Sequence, residues 1–340
     1  MSNLTYLSKY PTGLNFGHKS TSISTETVDV AANTTMLVEN KQKYKPKKLV
    51  FSGRADDVFI NLGIVKSLEE NNLLKYLDET CGFSVGSMIA LLTALKYSYQ
   101  EMEEIMTKFD GDILTDSLRF GKPELAYDFY KTRGLYSGNN FSNWIEDIIE
   151  RKTGIRGATF RDLNKKTGII LHIPLTNLNN SQLEVFNYKL HPDVCVSAVV
   201  KSACSLGLLY PPLNVDSMDH TDPIISTTYN ISMWDQVNDI DQSVLGVLPL
   251  CSTEQSLDSH ITQPTNTIYN FLIAILSTLV KSRLGVAAGD GFWDRTIVVN
   301  HEGGFTSGIY SLIQEQITAD DRNRLIDIGY RAANQYLQDK

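Results

Sequence analysis

The residues best spaced for chemistry are Gly82-Phe83-Ser84-Val85-Gly86, a G-x-S-x-G run. A serine hydroxyl is a weak nucleophile. It needs a sharp turn that exposes it, a partner that takes its proton, and N–H groups near the developing oxyanion. A strand that turns directly into a helix supplies the turn and the N–H groups, since a helix N-terminus carries free amides and partial positive charge. Glycines on either side let the two elements approach closely. The implied chemistry is acyl transfer through a covalent acyl-serine. The plain alternative is that a tight turn simply wants a small residue at position 84. The six histidines form no H-E-x-x-H or other ligand pattern, so no metal is expected. No phosphate-cradling glycine loop is present and no cofactor is expected; Gly303-Gly304, after Glu302, reads as a plain turn.

The elements needed around this run are legible. Lys47 to Ser52 (KKLVFS) predicts a short apolar strand, and Val58 to Glu70 has helical spacing of Ile60, Leu62, Ile64 and Leu68. The stretch around Thr80 to Phe83 enters the sharp turn, and Met88 to Leu95 predicts a buried helix. GIILHIPLTNL and LEVFNYK predict paired strands, RTIVV another strand, and ADDRNRLIDIGYRAANQYL a final amphipathic helix with an acidic first turn. Strand–helix alternation implies an α/β fold with a mainly parallel, covered sheet. The most apolar run, Phe271 to Val280, is shorter than the roughly 20 residues a bilayer needs and predicts a buried helix.

From these segments the chain resembles the patatin-like phospholipases. LVFSGRADDVFINLGIVKSLEE resembles, without gaps, the family's strand, oxyanion loop and first helix. GFSVGSMIALLTAL resembles the elbow, and TFRDLNKKTGIILHIPLTNLNN a recurrent middle segment. SAVVKSACSLGLLYPPL, with Pro211-Pro212, and RTIVVN with the final helix resemble the remainder. The resemblance implies a three-layer patatin-like fold, a Ser–Asp dyad in place of a triad, and lipid acyl hydrolysis. Counted back from Trp234-Asp235, the family pattern places the acid at Asp222, with Asp219 and His220 as alternatives if the loop carries an insertion. An ordinary turn-starting aspartate is the plain reading of Asp222.

Both loops depart from the family pattern. The family's oxyanion loop reads G-G-G-x-K/R-G, whereas the aligned residues here are Gly53, Arg54, Ala55, Asp56, Asp57 and Val58. Only Gly53 remains where glycine lets backbone approach substrate. A carboxylate about 5 Å from an oxyanion, at an effective dielectric of about 20, opposes it by roughly 3 kcal/mol. Losing one oxyanion donor costs a similar amount. After Asp222 the family has glycine, but this chain has Pro223 and Ile224. Acyl transfer is therefore expected to be slowed by orders of magnitude.

Composition bounds the rest. A net charge of −8 on 340 residues argues against nucleic acid as the main partner. Cys81, Cys195, Cys204 and Cys251 show no zinc spacing, and the opening MSNLTYLSKYPTGLNFGHKS has no apolar core. An intracellular, reducing compartment, cytoplasmic or nuclear, is expected. Residues 1–48 are rich in Ser, Thr and Asn and read as an extended arm before a single patatin-like domain over 49–340. Seven lysines against three carboxylates give the arm +4, opposite to −12 on the body. The arm is expected either to dock on its own or a neighbouring subunit, with self-association favoured, or to stay a solvated leader. The cluster Lys41, Lys43, Lys45, Lys47 and Lys48 reads as a solvated linker or a contact for anionic lipid. Three functions follow: a self-assembling pseudo-enzyme of viral matrix or occlusion type; a lipid acyl hydrolase using Ser84 and Asp222; and a non-catalytic lipid-binding module.

Overall fold

The short apolar runs become strands buried on both faces. In Lys48–Phe51 (β1), Leu49 and Phe51 face one hydrophobic core while Val50 faces a second, smaller one with Cys81, Tyr229 and Leu248. That alternation is the period of two that strand geometry imposes. The computed structural model describes residues 44–54, 56–109, 111–114, 129–205, 207, 209–236, 239–251, 291–301 and 317–340. The runs Phe271 to Val280 and Gly303-Gly304 lie outside the described residues.

The other strands are Glu79–Gly82 (β2), Ile170–Asn177 (β3), Gln182–Phe186 (β4), Leu213–Val215 (β5), Met218–Thr221 (β6), Val244–Cys251 (β7) and Thr296–His301 (β8). They form one sheet in the order β5-β6-β3-β2-β1-β7-β8, with β4 also on β3. Pairs β3–β2, β2–β1, β1–β7 and β7–β8 are parallel. Phe51 pairs with Gly82, so the loops after β1 and β2 leave the sheet side by side. The second half of β3 runs on and pairs antiparallel with β4 and β6, setting Thr176 opposite Thr221. This extension brings the residue after β6, Asp222, to the carboxyl end of the parallel strands, where α/β sheets place their sites.

The helices are Asp57–Glu70 (α1), Gly86–Ala94 (α2), Tyr99–Thr107 (α3), Gly111–Leu114 (α4), Asn139–Thr153 (α5), Phe160–Thr167 (α6), Val196–Ala203 (α7) and Ala319–Asp339 (α8). Every residue of α2 is buried, as its lack of polar residues beyond serine and threonine allows. Helices α1 and α8 cross in near backbone contact. A Cβ on Gly63 would lie 1.9 Å from the Ile326 carbonyl oxygen, and one on Gly329 would lie 2.0 Å from that of Ile60.

The domain starts earlier than the sequence boundary after residue 48. Lys47 N–H donates to the Ser243 carbonyl at 2.9 Å, and the Tyr44 ring lies 6.1 Å from that of Tyr336. Lys45 sits over the Tyr76 ring, and Lys48 pairs with Asp241 beside Trp234. These lysines have partners on the body because β1 needs its preceding residues to complete the ladder. Lys41, Lys43 and the rest of residues 1–43 lie outside the described residues.

Trp234-Asp235 is an anchor. Arg295, only 1% exposed, donates to the Asp235 carboxylate at 2.8 and 2.7 Å and to the Asp241 carbonyl at 2.9 Å. Burial works against charge on Asp235, but hydrogen bonds from Arg295, Asp241 and Ser232 together hold its carboxyl below the ordinary range. Stabilisation of this sign is present above about pH 4, the unfolded carboxylate value, and is lost as pH falls through the lower folded value. Arg295→Ala is therefore expected to lose about 3 kcal/mol in urea unfolding at pH 7, the low end for breaking a buried pair. The gap to the wild type should narrow below about pH 4; a pH-independent gap would contradict the assignment.

Candidate active site

Strand β2 ends at Gly82 and α2 begins at Gly86, so three residues make the turn. Ser84 is at its apex with φ +50°, a left-handed conformation that L-residues avoid. The glycines are required by contact. A Cβ on Gly82 would lie 2.3 Å from Ser87 Cα, and one on Gly86 would lie 2.4 Å from the Phe51 carbonyl oxygen. The Phe83 N–H donates to that same carbonyl at 2.9 Å, tying the turn to β1. Below the turn, the Cys204 thiol donates to the Ser84 carbonyl at 3.6 Å. Burial pushes that thiol up to about 12, so it stays protonated and is no second nucleophile.

The Ser84 hydroxyl donates to Asp222 Oδ2 at 3.1 Å across 138 residues of sequence. Asp222 is fully buried, and its Oδ1 accepts the Ile224 N–H at 2.9 Å. Pro223 fits because Pro223–Ile225 is a single 3-10 turn in which proline occupies the first position. Ile224 is tolerated because its side chain turns into the interior, 1% exposed. The two alternatives are engaged elsewhere. Asp219 pairs with Arg133 and accepts from Asn214 at 2.9 Å, and His220 Nε2 lies 2.8 Å from Glu184. A buried carboxylate accepting the serine hydroxyl can take its proton as the oxygen attacks a carbonyl carbon.

The loop after β1 is more crowded than the sequence reading anticipated. Gly53 and Arg54 reach the site; Ala55 lies outside the described residues. The Arg54 N–H donates to Asp57 Oδ2 at 2.9 Å, so the second backbone donor of this loop is already occupied. Asp57 is 4% exposed, with His301 Nε2 at 3.0 Å from its other oxygen. Among the described residues, no acceptor meets the N–H of Gly53 or of Val85. Gly53 lines the cleft with Ser84, and Val85 follows Ser84 in the turn. Ser84, Gly53 and Arg54 line a cleft with Ile224, Leu248 and Pro249, with room for about one water-sized group. Among the described residues, no group of three or more His, Cys, Asp or Glu could hold a metal, and no helix is long and apolar enough to cross a membrane.

The family model of the patatin-like phospholipases matches residues 49–229. The chain belongs to that family. It is 26% identical over 297 residues to an uncharacterised protein of Acanthamoeba polyphaga mimivirus, spanning 86% of this chain and 93% of that one. It is 27% identical to the "Probable lipid hydrolase 463L" of invertebrate iridescent virus 6, over 54% of this chain and 60% of that one. The crystal structure of VipD from Legionella pneumophila shares the fold, with TM-score 0.51 and 17% identity over 87% of this chain and 67% of VipD.

Asp56, at the N-cap of α1, makes no side-chain cap bond. Burial, then Asp57 and Asp321, push its carboxyl up to about 6, against a lowering by His301. A raised folded value means that the native state binds the extra proton, so stability falls as pH rises from about 4 to about 6. Asp56→Asn is expected to raise stability at pH 7 by about 1–3 kcal/mol. The gain should shrink below pH 6 and vanish near pH 4. A loss of stability at pH 7 would show that Asp56 serves the helix dipole more than burial harms it.

Proposed function

We propose that this chain is a slow serine acyl hydrolase acting on lipid esters, with Ser84 as nucleophile and Asp222 as its base. The observation that carries the reading is the hydrogen bond between them at 3.1 Å, made by a serine held at φ +50°. Both are fixed by surrounding packing. A left-handed serine costs of order 1–3 kcal/mol. Ser181 and Ser217 share a left-handed φ in plain turns; what sets Ser84 apart is a hydroxyl aimed at a buried carboxylate.

In this mechanism Asp222 accepts the Ser84 proton as Oγ bonds to the ester carbonyl carbon. The N–H groups of Val85 and Gly53 receive the oxyanion. As the carbon–oxygen bond to the alcohol breaks, Asp222 returns the proton to the leaving oxygen. Water then attacks the acyl-serine with Asp222 again as base, releasing the acid and restoring the hydroxyl. Slow turnover follows from the Arg54 N–H already bound to Asp57. Lipid as substrate class is supported by family membership and by the viral relative's name.

That same Arg54–Asp57 contact favours a second reading, a pseudo-enzyme, for which the proposed role is self-assembly through the arm of residues 1–48. Under it, deleting residues 1–43 lowers the particle size measured by light scattering. Equal size and salt dependence for the two proteins would contradict it.

Hydrolysis of a short-chain ester and of phospholipid vesicles separates the readings. The hydrolase reading expects slow turnover, abolished in Ser84→Ala and lowered about 10²–10⁴-fold in Asp222→Asn. No turnover above buffer favours the pseudo-enzyme. Turnover unchanged by Ser84→Ala refutes the assignment of the nucleophile.

A further inference from the structure

Asp222 is followed by proline and isoleucine, so its turn lacks the glycine freedom that would let the backbone settle onto Ser84. Within the turn, the Ile224 N–H holds Oδ1 of the carboxylate at 2.9 Å; what fixes the Asp222 peptide itself must come from outside it. Asp222 sits where β6 leaves the antiparallel extension of β3, and the residue paired with the last residue of β6 is Thr176. The Thr176 hydroxyl donates to the Asp222 carbonyl at 3.1 Å. It also lies 2.9 Å from the Ser226 hydroxyl, one residue beyond the 3-10 turn. A threonine hydroxyl has a single proton. Since Thr176 gives its proton to the Asp222 carbonyl, Ser226 must be the donor in the second bond. The order is therefore Ser226 to Thr176 to the Asp222 carbonyl, a one-directional chain in which each bond polarises the next. It spans the 3-10 turn that follows the carboxylate, from the residue before the turn to the residue after it.

Thr176 is 3% exposed, so water does not substitute readily for its hydroxyl. On the other side of the same residue, the Asp222 N–H approaches the Ser205 hydroxyl at a long 3.4 Å, a weaker hold. The carbonyl side is the firmer anchor. Thr176 makes its side-chain hydrogen bonds to Asp222 and Ser226 and is not among the residues lining the cleft, so its route to Ser84 runs through Asp222.

We infer that Thr176 is the positioning residue of the Ser84–Asp222 pair: with Ser226 it fixes the Asp222 peptide, and so the angle at which the carboxylate meets the serine hydroxyl. This rests on the hydrolase reading above and goes beyond it by naming what replaces the missing glycines.

The test compares the full-length wild type with Thr176→Val, which keeps the shape and removes the hydroxyl, and Thr176→Ser, which keeps the hydroxyl. Ser226→Ala breaks the chain one step further out. Each is assayed on the short-chain ester for kcat and KM, with melting temperature in parallel. The expected result for Thr176→Val is a fall in kcat of about ten- to a hundredfold, the scale of a small misplacement, with KM nearly unchanged. Thr176→Ser should restore most of kcat, and Ser226→Ala should fall between. If kcat is unchanged in Thr176→Val, or if Thr176→Ser is as slow as Thr176→Val at equal melting temperature, the inference is overturned. Should the wild type show no turnover, the hydrolase reading fails by itself. Crystal structures then decide the positioning claim. The Ser84–Asp222 contact seen at 3.1 Å should persist in the wild type and be lost in Thr176→Val; its survival in that variant overturns the claim.

Discussion

The structure turns on one backbone constraint: Ser84 must be left-handed. Three residues join β2 to α2, and helix and strand are pressed so closely that neither Gly82 nor Gly86 has room for a Cβ. The contact partner of Gly86 is the Phe51 carbonyl, which also accepts the Phe83 N–H. The elbow is therefore locked against β1 as well as against its own helix. The hydroxyl of the residue so strained meets Asp222. Everything else at the site is arranged around that point: the β3 extension delivers Asp222, and the β1 loop delivers Gly53.

The two loops have met their loss of glycine differently. At Asp222, proline and a 3-10 turn replace conformational freedom with rigidity, and hydroxyls from β3 and the turn hold the peptide. The result keeps the carboxylate on Ser84. At the β1 loop, Arg54 and His301, both half-buried, close on the buried Asp57, whose carboxylate consumes a backbone donor. A carboxylate satisfied in this way carries less penalty for an oxyanion than a bare one, but the N–H it holds is withdrawn from catalysis. Under the proposed mechanism, the base is thus kept better than the oxyanion hole.

Much of this was legible because it is local. G-x-S-x-G between a strand and an apolar helix needs only a few consecutive residues, and the structure has Ser84 on that turn. Counting back from Trp234-Asp235 points to Asp222, whose carboxylate lies 3.1 Å from the Ser84 hydroxyl. Asp235 itself is held by the buried Arg295. What the sequence hid is what register decides. Thr176 stands in an unremarkable apolar strand, and its relation to Asp222 appears only when β3 and β6 are paired. Asp57 reads as a helix-starting acid, and its hold on Arg54 depends on how the loop folds back. The domain boundary was misplaced for a similar reason: a lysine-rich stretch looks solvated until its partners, Tyr76 and Asp241, are brought beside it from elsewhere in the chain.

The central claim is that Ser84 is a nucleophile primed by Asp222. It is tested most directly by intact-protein and peptide mass spectrometry after exposing the folded chain to an alkyl fluorophosphonate, which needs an activated serine but no particular lipid. The account predicts a single phosphonyl adduct on the peptide containing Ser84, formed far more slowly in Asp222→Asn at equal folding. An adduct on another residue, or none on the native protein under conditions that label an active serine hydrolase, would contradict it.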